Sequence, residues 1–132
     1  MAEGQKNFRK RNAILACLRG TKEHPSADMV YNAVRDENPD ISLATVYRNL
    51  AYFVERGDAI CVGKVDGSER FDADTSPHAH FICRGCGRVI DVGRIPSVRE
   101  LCGDFPGLDG FSAKSCSMTF EGTCPDCAKK EN

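Results

Sequence analysis

Apolar positions recur at helical spacing three times in the first half of the chain and at strand spacing in the second. Phe8, Ile14, Leu15 and Leu18 predict a helix over residues 7–19, ended by Gly20. Ser26 is a good N-cap for a second helix, with Asp28 in its first turn and Met29, Val30, Ala33 and Val34 as its stripe. Asn38-Pro39-Asp40 breaks that helix. Ser42 caps a third, which turns Leu43, Val46, Leu50, Phe53 and Val54 inward and ends at Gly57. Only a short turn separates the last two, which is the helix-turn-helix pattern. Residues 59–65 and 69–72 then read as two strands joined across Asp66-Gly67, a strong hairpin signal. Three helices and a hairpin make a winged helix. The same pattern also fits a small helical domain that never touches DNA.

Asp74-Thr75-Ser76-Pro77 reads as a hinge. Beyond it, residues 78–83 predict a strand, 85–87 a tight knuckle and 89–92 the returning strand. Ser97 caps a short helix reaching about Gly103, residues 107–110 are loop, and 112–121 form a third strand. The expected fold class is α+β. It comprises a winged helix-turn-helix domain over residues 1–73, a hinge at 74–77, and a small α/β domain with an antiparallel sheet over 78–132. Three strands are few for independent stability, so sheet-to-sheet dimerisation is expected to enlarge the second core.

At 132 residues the chain is one large domain or two small ones, and a half of this size often needs a metal or a partner subunit. The net charge of −1 gives no hint of nucleic acid. Charge is uneven, however: Lys6, Arg9, Lys10 and Arg11 cluster near the start against Glu3 alone, and a local basic cluster binds phosphate even on a near-neutral chain. Eight cysteines could mean a secreted disulfide framework. No signal-peptide core or membrane-length apolar run is visible, so a cytoplasmic, non-membrane protein is expected, in which Cys-x-x-Cys pairs bind metal. Cys17, Cys61, Cys102 and Cys116 fall outside the pairs.

The pairs are Cys83/Cys86 and Cys124/Cys127. Thiolates at i and i+3 bind one ion from a single turn, and two such knuckles complete a closed tetrahedral cage, structural rather than catalytic. Zn(II) suits it, although iron in a rubredoxin-like electron carrier uses similar pairs. His78 and His80 share one face of their strand and Cys83 lies on the other. This separates the histidines from the cage and points to a second site. Asp91, Asp72 and His24 are candidate partners, each with an ordinary alternative as a turn, helix-start or salt-bridge residue. Nitrogen and oxygen donors without thiolate suit Mn(II), Fe(II) or Zn(II).

His24-Pro25-Ser26-Ala27-Asp28-Met29-Val30-Tyr31, Ser42-Leu43-Ala44-Thr45-Val46-Tyr47-Arg48-Asn49-Leu50 and Arg70-Phe71-Asp72 resemble successive motifs of the ferric-uptake-regulator family. So do His78-Ala79-His80-Phe81-Ile82-Cys83-Arg84-Gly85-Cys86-Gly87 and Gly122-Thr123-Cys124-Pro125-Asp126-Cys127. The resemblance runs from about Ile14 to Cys127 and is strongest to the peroxide-responsive repressors. It implies a dimeric bacterial transcriptional repressor, not an enzyme, that binds palindromic operator double-stranded DNA when metal-loaded. By motif position, the regulatory metal falls on His24, Asp72, His78, His80 and Asp91. Oxidation catalysed by Fe(II) and hydrogen peroxide falls on His24 or His78. Pro77, Ala79 and Cys116 argue against the additional metal site of many family members. Thr45, Tyr47, Arg48 and Asn49 of the third helix, with Lys6, Arg9, Lys10 and Arg11, are the expected DNA contacts. An iron- or zinc-uptake regulator sensing metal level alone, and a mononuclear metal hydrolase, are the competing readings.

Overall fold

A computed structural model describes residues 3–131. Residues 1, 2 and 132, at the outer bounds of the two expected domains, lie outside the described range. The chain divides between Thr75 and Ser76 into two compact units, inside the segment read as a hinge.

The first unit is a winged helix. Its elements are α1 (Glu3–Arg19), α2 (Ala27–Val34), α3 (Leu43–Arg56), β1 (Ile60–Val65) and β2 (Ser68–Asp72). Ile14 and Leu18 of α1, Val30 and Val34 of α2, and Val46, Leu50 and Phe53 of α3 meet in one core, closed by Ile41, Ala59 and Phe71. Ser26 Oγ accepts from the Met29 N–H at 3.2 Å and Ser42 Oγ from Thr45 N–H at 3.1 Å, so both expected caps form. Buried Asn38 ties the turn between α2 and α3. Its backbone N–H and its side-chain Nδ2 both donate to the Val34 carbonyl, and its own carbonyl accepts from Ile41. Gly57 adopts the left-handed conformation (φ +83°) that ends α3. Asp66 and Gly67 both have positive φ, the geometry of a tight two-residue hairpin turn.

Phe8 and Val54 depart from the expected inward stripes. Phe8 is 66% exposed because the first two turns of α1 carry only exposed residues from Gly4 to Arg9. Val54 lies beside the 46/50/53 row that α3 buries and stays exposed. Ala33 is exposed as well.

The second unit is built on β3 (His78–Cys83), with β4 (Val89–Arg94) on one side and β5 (Thr119–Gly122) on the other. The β3–β4 pair is antiparallel, as expected. The third strand departs from expectation in two ways: it is short, and it pairs parallel to β3, with Phe81 opposite Phe120 and Cys83 opposite Gly122. The chain returns through α4 (Val98–Gly103), capped by Ser97, and a 3₁₀ turn at Pro106–Leu108. This connection brings it back to the end of β4 from which a parallel strand must start. A final helix, α5 (Pro125–Glu131), has no apolar stripe and was not foreshadowed by periodicity. Proline at its first position and the Ala128 N–H donating to the Cys124 carbonyl at 2.8 Å start it. The core is thin: Ala79, Ile82, Cys83, Val89 and Cys124 are its buried apolar residues, while Phe105, Phe111 and Phe120 are exposed.

Candidate metal centres and nucleic-acid face

The sulfur atoms of Cys83, Cys86, Cys124 and Cys127 all lie within 4.8 Å of one another. The Cys86–Cys124 separation is 3.9 Å, close to the roughly 3.8 Å edge of a tetrahedron with zinc–sulfur bonds of about 2.3 Å. The first knuckle is held by Gly87 N–H donating to the Cys83 carbonyl and Cys83 N–H donating to the Arg88 carbonyl, both at 2.9 Å. The Arg84 N–H, at 2.8 Å from the Gly122 carbonyl, ties it to β5 and so to the second knuckle. A Cβ on Gly85 would stand 3.1 Å from Cys127 Sγ, so glycine there permits the close approach.

The electrostatics agree with a cation site. Backbone N–H groups of Cys124 and then Cys86 point at Cys83 Sγ (3.3 and 3.4 Å) and hold its pKa down to about 6. Cys127 is pushed up to about 12 by the neighbouring Cys124 and Cys83 sulfurs. Cysteine binds metal as the thiolate, so an ion here would displace the thiol protons. The donor set therefore fits zinc, held by all four thiolates with no position left for chemistry.

The imidazole and carboxylate candidates form one group within each unit. In the first unit, His24 Nε2 lies 3.2 Å from Asp72 Oδ2, both buried. His24 sits in the loop before α2 with φ +54°, an uncommon conformation for a residue with a side chain. In the second unit, a one-residue bulge at Val92 of β4, across from the Ala79–His80 step, leaves Asp91 directly opposite His80. Asp91 Oδ1 is 3.1 Å from His78 Nε2 and 3.3 Å from His80 Nε2. His78 Nδ1 lies 2.6 Å from the Ser76 carbonyl, so Nδ1 carries the hydrogen. The Nε2 lone pair then faces a carboxylate oxygen, acceptor against acceptor. A shared cation, proton or metal, turns that repulsion into binding. The nitrogen and oxygen donors fit a first-row divalent ion, and Cys83, on the same strand, groups with the other thiols instead.

The expected DNA contacts divide by where α3 and α1 turn them. Tyr47 (51% exposed) and Arg48 face outward. Thr45 is half-buried and accepts at Oγ1 from Arg48 Nη2 at 3.2 Å. Asn49 turns inward: its Nδ2 donates to the Thr45 carbonyl at 2.9 Å and its Oδ1 accepts from Arg11 Nε at 3.0 Å. Arg11 lies over the Tyr52 ring at 4.0 Å. Lys10 pairs with Asp40 at 3.4 Å. Lys6 and Arg9 remain exposed. Asn49 and Arg11 thus tie α1 to α3. Sequence reasoning gave no role to Arg70, whose guanidinium binds the His24 loop. Its signal was its place in the Arg70-Phe71-Asp72 run.

A winged helix followed by a sheet unit with a sulfur cage, and His/Asp groups apart from it, defines a metal-responsive regulator. The family model described as the ferric uptake regulator family matches residues 2–121, and the chain belongs to that family. It is 38% identical over 123 residues to the peroxide operon regulator of Bacillus subtilis, covering 93% of this chain and 84% of the relative. It is 35% identical over 121 residues to the peroxide-responsive repressor PerR of Staphylococcus aureus, covering 92% and 81%. The Campylobacter jejuni peroxide stress regulator superposes with a TM-score of 0.77 at 26% identity, covering 96% of this chain and all (100%) of that one. Within the family the resemblance is to the peroxide-responsive branch. Among the described residues no helix is long and apolar enough to cross a membrane.

Proposed function

We propose that this chain is a metal-dependent transcriptional repressor that binds palindromic operator DNA as a homodimer and is released by hydrogen peroxide. The observation that carries the reading is a complete set of imidazole and carboxylate donors, without a thiol, grouped as His24 with Asp72 and as His78 and His80 with Asp91. These five residues are the regulatory-metal ligands of this reading, His24 and Asp72 from the first unit and His78, His80 and Asp91 from the second. The four-cysteine zinc stabilises the second unit and takes no part in sensing. The peroxide-responsive relatives supply the signal. Exposed Phe105, Phe111 and Phe120 around a thin core favour pairing of two second units. Outward Tyr47 and Arg48, with Lys6 and Arg9, supply the DNA face.

Iron(II), if held by these residues, would give one electron to hydrogen peroxide, and the oxidant so formed would take its remaining electrons from an adjacent imidazole as oxygen adds to the ring. The chain's own part is to hold His24 and His78 by Nε2, with Asp72 and Asp91 alongside. Oxygen added to either ring weakens it as a donor, the regulatory metal is held less tightly, and metal-dependent DNA binding is lost. Manganese(II) fills the same donors without that reactivity.

The test is an operator mobility shift with the manganese and the iron forms, each with and without mild peroxide, followed by mass spectrometry. Loss of DNA binding only in the iron form, with one oxygen gained on the peptide holding His24 or His78, is expected. Equal release of the manganese form would shift the mechanism to the zinc thiolates. Iron-dependent binding with no response to peroxide would leave a sensor of metal level alone.

A further inference from the structure

We propose that Arg70 is a positioning residue for the regulatory metal, holding His24 in the strained backbone conformation that presents its imidazole beside Asp72. This rests on the reading that His24 and Asp72 are ligands. Arg70 stands on β2, 46 residues from His24 in sequence. Its Nε donates to the His24 carbonyl, and its Nη2 donates to the Glu23 carbonyl at 2.8 Å. One planar fork thereby grips two successive carbonyls, which a lysine ammonium has no geometry to do. The next residue on β2 continues the grip, with Phe71 N–H donating to the Pro25 carbonyl at 2.9 Å. The residue after that, Asp72, meets the His24 ring itself at 3.2 Å. Three consecutive residues of the wing strand thus register residues 23–25 against it.

The backbone shows why a clamp is needed. His24 has φ +54°, one of only two non-glycine residues with positive φ among those described, the other being Asp66 in the hairpin turn. Left-handed backbone is disfavoured for a side chain with a Cβ and persists where surrounding contacts impose it. Released from Arg70, the loop relaxes toward ordinary φ, and the imidazole swings away from the Asp72 carboxylate. The carboxylate does not hold the loop alone: its Oδ1 already accepts the Asp74 N–H at 2.9 Å.

The experiment compares full-length, zinc-loaded Arg70→Met and Arg70→Lys with the parent chain. Manganese(II) affinity is read from the free-ion paramagnetic resonance signal, and the backbone carbon shifts of residue 24 are read in manganese-free protein. Both variants are expected to bind manganese about 10–100-fold more weakly, with His24 shifts leaving the left-handed range and zinc content unchanged. Affinity within twofold of the parent, full recovery with lysine, or unmoved His24 shifts would overturn the proposal. So would a lowered melting temperature with affinity intact, which marks a purely structural residue. Should Arg70→Met not fold, Arg70→Lys carries the test. Asp72→Asn is run in parallel. If it too leaves manganese binding intact, the ligand reading fails; if it abolishes binding while the Arg70 variants do not, only the clamp fails.

Discussion

Replacing Arg11 with methionine separates a DNA contact from an internal strut. In the structure the Arg11 Nε–H satisfies Asn49 Oδ1, and Asn49 is only 8% exposed. Methionine keeps the aliphatic stem but leaves that oxygen without its donor, at a cost of about 1–3 kcal/mol. It also removes the guanidinium from the Tyr52 ring, worth about 0.5–1 kcal/mol at a partly exposed site. The expected loss is about 1.5–4 kcal/mol, a large share of what a unit of this size has. All three tyrosines, Tyr31, Tyr47 and Tyr52, lie in the first unit and the chain has no tryptophan. Intrinsic fluorescence in a urea titration therefore reports that unit alone. With a slope of about 1.5 kcal/mol per molar, the midpoint should fall by about 1–3 M. A shift below about 0.3 M would refute the strut. If, with stability unchanged, the salt dependence of operator binding lost about one unit of slope, Arg11 would be a phosphate contact instead.

Cys86→Ser should lose zinc and give a second unit that is unfolded or monomeric, since the ion supplies folding free energy; metal analysis and ultracentrifugation read this, and a zinc-loaded dimer of normal stability would contradict it. Gly85→Ala should weaken zinc retention against a chelator while leaving the first unit's tyrosine transition in place, because the added methyl meets Cys127 Sγ at 3.1 Å. Asp91→Ala, which removes the carboxylate shared by His78 and His80, should abolish manganese-dependent operator binding with zinc content unchanged. Arg48→Ala should weaken operator affinity by about 1–3 kcal/mol if it reads a base, with metal content unchanged; a loss spread equally over unrelated DNA sequences would make it a phosphate contact.

Much of this architecture is written in short-range pattern. Ser26, Ser42 and Gly57 mark helix ends through bonds spanning three or four residues, so local sequence suffices to place them. The Asp66-Gly67 turn and each Cys-x-x-Cys knuckle are equally local, whereas the meeting of the two knuckles, 38 residues apart at Cys86 and Cys124, belongs to the tertiary structure. His78 and His80 lie on one strand face by alternation alone. Tertiary structure decided the rest. Which side of α3 the Asn49 amide takes depends on α1 packing there, with Arg11, 38 residues away, as its donor. The parallel docking of β5 depends on where the chain returns after α4, and no periodicity in residues 112–121 encodes that direction. The left-handed turn at His24 is imposed by Arg70 from the wing strand. Local sequence sets what a residue can donate and where an element begins or stops, because those bonds close within one turn. Which distant partner receives each donor is chosen only when the elements pack, since contacts across some forty residues leave no spacing for a pattern to record.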